Sequence, residues 1–423
     1  MNQSKTYNRS QLFILLVLMF VVVAYFINVT VKGGDFASYI EAANKMLNGA
    51  NIYEPPFNHL RYSYSPFWAM VLTPLALLPL RVGIFIWLII SVLILWRSIY
   101  ILRNYFDIKF QNVKMDRLLW FLIILYMSRF IELNFHHTQM TIFLLWAMLE
   151  SLILLEQNQE WKVGILIGVS IIIKIMPIVL LPYFIYRRKI IATIATIGTC
   201  IATFWMPIIF LGKQRFDELN ASWYAILRPD NPDFKWDMVD YFPHNLSALL
   251  YRLLTPTQAP YIRNIVTMDY YTATLFIIAI IGLLVLFTLY FLGSLPFTSS
   301  FSKQHSLYEL SYITLLMPLI FPHQMKYAFY FVFPTICILC KLVIEQYQAE
   351  DRSIEYKFTR ALLALSFILS VMTTDLIIGI QYSTISQYIK TITLGTLILI
   401  PALAINKKKF LNGKTIATTQ TVP

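Results

Sequence analysis

Charged residues are scarce in this chain of 423 residues, at 13% of the total. An ordinary soluble domain is about 25% charged, whereas 58% of this chain is hydrophobic. This composition excludes a soluble globular domain, a disordered chain and a nucleic-acid-binding protein. The net charge is +12, but the lysines and arginines form short clusters between apolar runs, which is typical of membrane topology.

Cysteine is scarce as well. The chain has three cysteines, Cys200, Cys337 and Cys340, and all lie in apolar stretches. Cysteines in such surroundings behave as small buried hydrophobes, so the sequence indicates neither a disulfide framework nor a zinc site. The adjacent His136 and His137 would point about 100° apart on a helix, with no further ligand beside them. We expect no metal and no other cofactor.

Long apolar runs, by contrast, are abundant. A helix needs about 20 apolar residues to cross the hydrocarbon core of a bilayer. Runs of this kind lie at about 11–31, 81–102, 118–133, 138–155, 190–212, 271–292, 307–321, 325–345, 360–380 and 388–405. The sequence therefore predicts an all-α polytopic membrane protein.

The distribution of positive charge settles two ambiguous segments. Residues 65–79 are apolar but short, and residues 161–186 contain Lys174 and Pro177 in the middle of an apolar run. Clusters of Lys and Arg lie at 5–9, 103–117, 187–189, 352–360 and 407–409. All fall in the cytoplasm if 65–79 does not cross and 161–186 forms two short helices broken near Lys174. This solution predicts twelve spans and one membrane domain over 1–423, with both termini inside.

The two long polar connections, 32–64 and 213–270, then both face outside. The cytoplasmic loops are too short for a nucleotide-binding domain of about 100 residues, and the sequence has no glycine-rich phosphate loop. We therefore expect extracytoplasmic chemistry that does not use a soluble nucleotide.

The first outer connection predicts an amphipathic helix over 36–47, because apolar residues recur there at helical spacing. It is too short and polar to span, so we expect it on the membrane surface. Asp35 would cap this helix, and the same carboxylate could serve as a general base at the membrane–water boundary. The tyrosines that follow, such as Tyr53 and Tyr64, are interpreted as an aromatic belt in preference to a sugar platform.

Polar residues near the predicted spans lie on the same side as Asp35. Lys174 is an intramembrane cation that could meet a phosphate or pair with an acid such as Glu132. Arg252 lies on a predicted helix over 246–254 that Asn245 can cap, and it is either a phosphate ligand or a solvated charge. Two outer turns complete the set, one with Arg129, Glu132, His136, His137 and Gln139, the other with His323, Gln324 and Lys326.

Five loose motifs occur in a characteristic order over roughly residues 10–340. They are Asp35-Phe36 with Tyr39, Tyr53 and Tyr64-Ser65-Pro66; Thr138-Gln139; Lys174 to Pro177; Asn245, Ser247 and Arg252-Leu253-Leu254; and Phe321-Pro322-His323-Gln324. Together they resemble the family-87 glycosyltransferases, membrane enzymes of the type C fold. Thr138 replaces the usual glycine of the second motif, and the last motif lacks its Trp and its second His.

The resemblance implies transfer of a sugar, typically mannose, from a polyprenyl monophosphate to a glycolipid or polysaccharide acceptor, and we expect the transfer to invert the sugar. It implies that Asp35 is the catalytic base and that Lys174, Arg252 and His323 contact the donor phosphate. By the same resemblance, Tyr39, Tyr64, Gln139 and Asn245 would bind substrate. The expected location is a bacterial inner membrane, with the site facing the periplasm or exterior.

Two other functions remain open from the sequence. A transporter or lipid flippase would suit the broken helices and the intramembrane Lys174. An O-antigen polymerase or ligase would suit the large outer connection over 213–270, which carries four arginines.

Overall fold

The computed structural model describes residues 9–54, 62–228, 242–256, 261, 264–293, 296–297 and 302–411. Throughout this part of the chain the regular structure is helical, without a β-strand. The α-helices are α1 (Arg9–Lys32), α2 (Gly34–Leu47), α3 (Pro66–Val71), α4 (Thr73–Ala76), α5 (Leu80–Tyr100), α6 (Val113–His136), α7 (Thr141–Glu156), α8 (Glu160–Ile173), α9 (Leu180–Tyr186), α10 (Ile190–Trp205), α11 (Pro207–Leu211), α12 (Lys213–Leu227), α13 (Leu246–Leu254), α14 (Tyr270–Leu292), α15 (Lys303–Ile320), α16 (Phe333–Gln348), α17 (Ile354–Ser370), α18 (Asp375–Ile389), α19 (Thr391–Ile405) and α20 (Lys407–Leu411).

Helix α2 covers the segment over 36–47 for which the sequence predicts an amphipathic helix, and it starts earlier than predicted. Its place on the membrane surface stays a prediction. Gly33 occupies the N-cap with a φ of 85°, and Asp35 lies in the first turn. Asp35 is therefore not the cap that the sequence suggested. The backbone at the N-cap position has a positive φ, and glycine adopts this conformation without the steric cost that a Cβ brings. This is why Gly33, and not Asp35, occupies the N-cap.

The segment over 65–79 forms two short helices, α3 and α4, with six and four residues. Each has a proline in its first turn, where the missing N–H costs no helical hydrogen bond. Neither is long enough to cross a bilayer.

The predicted break near Lys174 is confirmed. Lys174 is extended, with a φ of −150° and a ψ of 123°, between α8 and a 3₁₀ turn over Met176–Val179. Pro177 lies in that turn and cannot donate a helical hydrogen bond. The Ser65 hydroxyl donates to the carbonyl of Ile172 at 2.9 Å, which satisfies an end group of α8 and brings the 62–65 segment beside Lys174.

Five helices in the described part of the chain are long and apolar enough to cross a membrane, and two bent pairs raise the number to seven if each pair is one span. The five are Leu80–Tyr105, Val113–His136, Ile190–Leu211, Tyr270–Leu292 and Lys326–Gln348. These helices make the chain an integral membrane protein, and the count of twelve spans stays a prediction.

The predicted spans at 360–380 and 388–405 are not continuous helices. Helix α17 ends at Ser370 and α18 follows at an angle of 81°. The Arg129 guanidinium donates to the carbonyl of Ser370 at 2.7 Å, so a group from α6 satisfies the end of α17. Lys390, with a φ of 61°, then separates α18 from α19.

The distribution of burial matches a bilayer environment. Most side chains of α15 and α16 are buried, so these helices form the centre of the bundle. Helix α14 instead exposes large apolar side chains, including Leu283 and Leu286 at 67% and 62%. An apolar face of this extent is stable against lipid and unfavourable against water.

Candidate active site

The turn that follows α6 fixes the position of Asp35. The Asp35 N–H donates to the carbonyl of His137 at 3.0 Å, and the Phe36 N–H donates to the Thr138 hydroxyl oxygen at 3.0 Å. These are two of the N–H groups that the first turn of a helix leaves without an internal partner. A distant segment therefore caps α2 and holds Asp35 against the 137–139 turn.

The same turn orients the Asp35 carboxylate. The side-chain amide of Gln139 donates to Asp35 Oδ2, while the Gln139 N–H donates to the carbonyl of Asn134 at 2.9 Å. Gln139 is buried, so its side chain has few alternative positions. One carboxylate oxygen is thus held, and the carboxylate is fixed in orientation.

Lys174 is the charged neighbour of Asp35. Its ammonium interacts electrostatically with the Asp35 carboxylate and lies 5.2 Å from the centre of the Tyr327 ring. The alternative partner, Glu132, instead accepts from Tyr25 at 3.2 Å and lies 3.7 Å from His136. Burial is the largest effect and raises the pKa of the Asp35 carboxyl, while the charge of Lys174 acts in the opposite direction. A carboxyl with a raised pKa is a stronger base once it is ionised.

Tyrosines line the side of the site that α2 provides. Tyr39 lies one turn after Asp35, and its hydroxyl donates to the Tyr64 hydroxyl at 2.7 Å. Their rings pack edge to face, with centroids 4.7 Å apart, and the Tyr53 hydroxyl donates to the Tyr64 carbonyl at 2.8 Å. Tyr53 and Tyr64, which the sequence analysis interprets as an aromatic belt, are partly buried in a bonded cluster with Tyr39 next to the carboxylate.

Five of the predicted site residues therefore lie together, namely Asp35, Tyr39, Tyr64, Gln139 and Lys174. The other three, Asn245, Arg252 and His323, form a second group. Asn245 caps α13 by accepting from the Ala248 N–H at 3.2 Å, as predicted. Its amide also donates to the carbonyl of Phe321 at 3.1 Å, which places α13 beside the turn that carries His323. Arg252 is buried, not solvated, and its guanidinium carbon lies 4.4 Å from the Tyr388 ring centre.

His137 and His323, in the two outer turns, are neutral at neutral pH. Burial, followed by the proximity of His136 and Lys326, lowers the pKa of His137 to about 4. Burial also lowers the pKa of His323 below its usual range. A phosphate beside His323 would thus meet a hydrogen-bond donor and not a fixed positive charge.

Sequence reasoning missed one residue of the site, Tyr327. It lies in the 3₁₀ turn over Lys326–Val332 and interacts electrostatically with Asp35. Asn134 holds this turn by donating to the Tyr327 carbonyl at 2.9 Å. No local pattern marks Tyr327, because 292 positions separate it from Asp35 and only the folded chain joins them.

The fold and the site together define a polytopic helical membrane protein with a polar, tyrosine-lined centre at the ends of α6 and α8. The model of glycosyltransferase family 87 matches residues 62–322, more than half of the chain. The chain belongs to this family and is a glycosyltransferase. No curated protein and no solved structure matches it. The family match includes Tyr64, Gln139 and Lys174, whereas Asp35 precedes it and His323 follows it.

Proposed function

We propose that the protein transfers a hexose, specifically mannose, from a polyprenyl-phosphate donor to a glycolipid or polysaccharide acceptor on the extracytoplasmic side of the membrane. One observation carries this proposal. Asp35, Gln139 and Lys174 come from three separate segments, and their carboxylate, amide and ammonium groups meet at one place. A carboxylate that is held by an amide, has a pKa raised by burial and lies near a cation is suited to general base catalysis.

In this mechanism the acceptor hydroxyl attacks C1 of the donor sugar while Asp35 removes its proton. The bond between C1 and the phosphate oxygen breaks, and the polyprenyl phosphate leaves with the electron pair. Attack on the face opposite the leaving group inverts the configuration at C1. Gln139 fixes the direction of the carboxylate, and such orientation supplies part of the rate enhancement.

Positive charge would stabilise the leaving phosphate. We assign Lys174 and Arg252 to this role. His323 would contact the same phosphate as a neutral hydrogen-bond donor, with Tyr39, Tyr64 and Asn245 as further substrate contacts. Lys174 and Arg252 are both withdrawn from bulk solvent, where a cation stabilises a developing anion more strongly than in water.

An apolar groove supports a lipid-linked donor. It has a volume of about 290 Å³ and lies between α9, α14 and α15. Its lining runs from Val179 and Ile320, which are next to the Lys174 break and the 321–324 turn, to Tyr186 and Leu292. A polyprenyl tail in this groove would bring its phosphate towards the polar centre, while the tail stays among apolar side chains.

The test is transfer by the purified chain, with polyprenyl-phosphate mannose compared with a nucleotide-linked mannose. We expect product only from the lipid-linked donor, and Asp35→Asn should lower kcat by about a hundredfold to ten-thousandfold. Asp217→Asn is a matched control, because Asp217 is exposed on α12 and pairs with Lys213 at 2.7 Å.

Full activity in a normally folded Asp35→Asn protein would remove the base assignment. Movement of the lipid-linked sugar across the membrane without its consumption would favour a flippase over the proposed transferase.

A further inference from the structure

Tyr327 lies in the candidate active site, and the proposed mechanism gives it no role. Its carbonyl accepts from the side-chain amide of Asn134 at 2.9 Å, and the same amide donates to the carbonyl of Phe130 on α6 at 2.7 Å. Its ring packs against the His137 ring, with centroids 6.0 Å apart. The residues over 328–332, which follow it in the 3₁₀ turn, are buried. The main chain and the ring of Tyr327 are therefore held against the end of α6.

Lys174 has no comparable support from its own segment. It lies at the extended break between α8 and the 3₁₀ turn over Met176–Val179, and its ammonium ends a flexible four-carbon stem. Among the residues that the structure describes, this ammonium forms no hydrogen bond and no ion pair. The charge of the Asp35 carboxylate acts on it only at longer range. Fixing such a side chain costs conformational entropy that another contact must offset.

The Tyr327 ring provides that contact. The Lys174 ammonium lies 5.2 Å from the centre of the ring, within the distance of about 6 Å over which a ring face attracts a cation. The attraction acts on the charge of the ammonium and occupies none of its three N–H donors. The ring therefore holds Lys174 in place while these donors stay free.

Free donors at this position matter for the reaction proposed above. A sugar linked to a polyprenyl phosphate is a phosphodiester with a single negative charge, and the phosphate that leaves is a monoester with a second one. The second charge develops as the bond from C1 to the phosphate oxygen breaks. Hydrogen bonds to that charge therefore stabilise the transition state more than the bound donor. An ammonium whose donors were bound to the Asp35 carboxylate would have less to offer this phosphate.

We propose that Tyr327 is a positioning residue for Lys174. Its ring face holds the ammonium beside the Asp35 carboxylate but out of an ion pair with it, so that the N–H donors remain available to the leaving phosphate. This role rests on the proposed function, in which that phosphate leaves, and it belongs to the ring and not to the hydroxyl. Tyr327 sets where Lys174 acts and itself transfers neither proton nor sugar.

The first test removes the ring. We expect Tyr327→Leu to lower kcat with polyprenyl-phosphate mannose by about fivefold to thirtyfold, the range that corresponds to a partly desolvated contact of this kind. The KM for the donor should change little, because the charge that Lys174 meets develops after binding. Tyr327→Phe keeps the ring face and should restore most of the lost activity. Tyr327→Met is a second variant without a ring, in case Tyr327→Leu does not fold.

A double-mutant cycle separates positioning from a general structural effect. In a Lys174→Gln background the ring has no ammonium to hold, so Tyr327→Leu should lower kcat there by less than about twofold. An equal loss in both backgrounds would show that Tyr327 does not act through Lys174 and would overturn the proposal.

Trp161→Leu is the matched control. Trp161 is exposed near the start of α8, and its ring centre lies 5.4 Å from the Lys162 ammonium. The variant removes the same type of contact away from the site and should leave kcat unchanged. A loss as large as that of Tyr327→Leu would show that the effect does not depend on the site, and the proposal would fail.

Labelling of amines tests the contact without any substrate. The purified full chain in detergent is treated with acetic anhydride at constant pH, and acetylation of Lys174 is measured by mass spectrometry relative to the exposed Lys213. The ring face favours the charged ammonium, which does not react, so Tyr327→Leu should raise the relative rate at Lys174 by about twofold to tenfold. Tyr327→Phe should leave that rate low. An unchanged rate in the folded Tyr327→Leu protein would overturn the contact.

The two measurements separate this proposal from the proposed function. A raised labelling rate in Tyr327→Leu, in a chain that transfers no sugar from polyprenyl-phosphate mannose, would retain the placement of Lys174 by the ring and reject the reaction. A normal kcat with that donor in Tyr327→Leu would retain the reaction and overturn the positioning role.

Discussion

At the scale of single residues, Thr138 joins the turn after α6 to the first turn of α2. Its hydroxyl accepts from the Phe36 N–H at 3.0 Å and donates to the His137 carbonyl at 2.7 Å. A Cβ on Gly34 would lie 2.6 Å from that hydroxyl oxygen. Thr138 has a φ of 51°, a conformation that favours glycine. The hydroxyl thus offsets a local backbone cost by capping α2.

We predict that Thr138→Val displaces Asp35, because valine keeps the branched shape and removes the hydroxyl. The Phe36 N–H would lose its acceptor, and loss of a helix cap costs about 1 kcal/mol of stability. Misplacement of the carboxylate should lower kcat by roughly tenfold. The measurements are kcat with the lipid-linked donor and the thermal unfolding temperature. Thr138→Ser should restore both, and a Thr138→Val enzyme with unchanged kcat would contradict the capping role.

The sequence identified Asp35, Gln139 and Lys174 but not the contacts among them. Thr138 was noted as a departure from the glycine of the related motif, and its positive φ now explains that glycine. Its function as a cap was not predictable, since its partner Phe36 is 102 positions away.

A buried charged cluster joins three helices at the scale of secondary-structure elements. Arg187, after α9, binds Glu309 on α15, and Tyr183 donates to the same carboxylate at 3.0 Å. Arg187 also donates to the carbonyl of Leu292, the last residue of α14, at 3.2 Å. About 17 Å of helix separate Glu309 from Ile320, at the active-site end of α15. The cluster therefore fixes the helices without touching the chemistry.

We predict that Glu309→Ala destabilises the protein by about 3–5 kcal/mol, because it leaves the buried Arg187 guanidinium without its carboxylate. The unfolding free energy in detergent is the measurement, and kcat per folded molecule should stay the same. Glu156→Ala is the control, since Glu156 is half-exposed and 3.6 Å from Lys303, and it should cost less than about 1 kcal/mol. Equal losses in the two variants would show that the cluster adds nothing to stability.

Breaks in the helices were predictable only where their cause is local. The break after α8 could be predicted from the sequence itself, because Lys174 and Pro177 lie in the middle of an apolar run. The bend after Ser370 has a weaker mark, the polar residues Thr373, Thr374 and Asp375 in an otherwise apolar run. Arg129 of α6 binds the Ser370 carbonyl that the end of α17 leaves open, and this distant contact could not be predicted from the sequence.

Sidedness is the property of the whole molecule on which the proposed function depends. The buried centre of α15 and α16 and the exposed apolar face of α14 agree with a protein in a bilayer, but they are the same whichever end faces the cytoplasm. Only the clusters of Lys and Arg orient the chain. By this rule they predict that Asp35 and the second outer connection lie outside, where the proposed reaction of a lipid-linked sugar needs no soluble nucleotide.

We predict that a membrane-impermeant maleimide labels Asn48→Cys in intact cells, and labels Lys114→Cys and Lys408→Cys only after permeabilisation. All three positions are exposed in the structure, so labelling reports the side of the membrane and not burial. The background should carry Cys200→Ser, Cys337→Ala and Cys340→Ala. Labelling of Lys408→Cys in intact cells would require an odd number of spans between it and Lys114 and would rule out the predicted topology. Protection of Asn48→Cys in intact cells would move Asp35 to the cytoplasmic side, where the proposed acceptor and donor headgroups would not meet it.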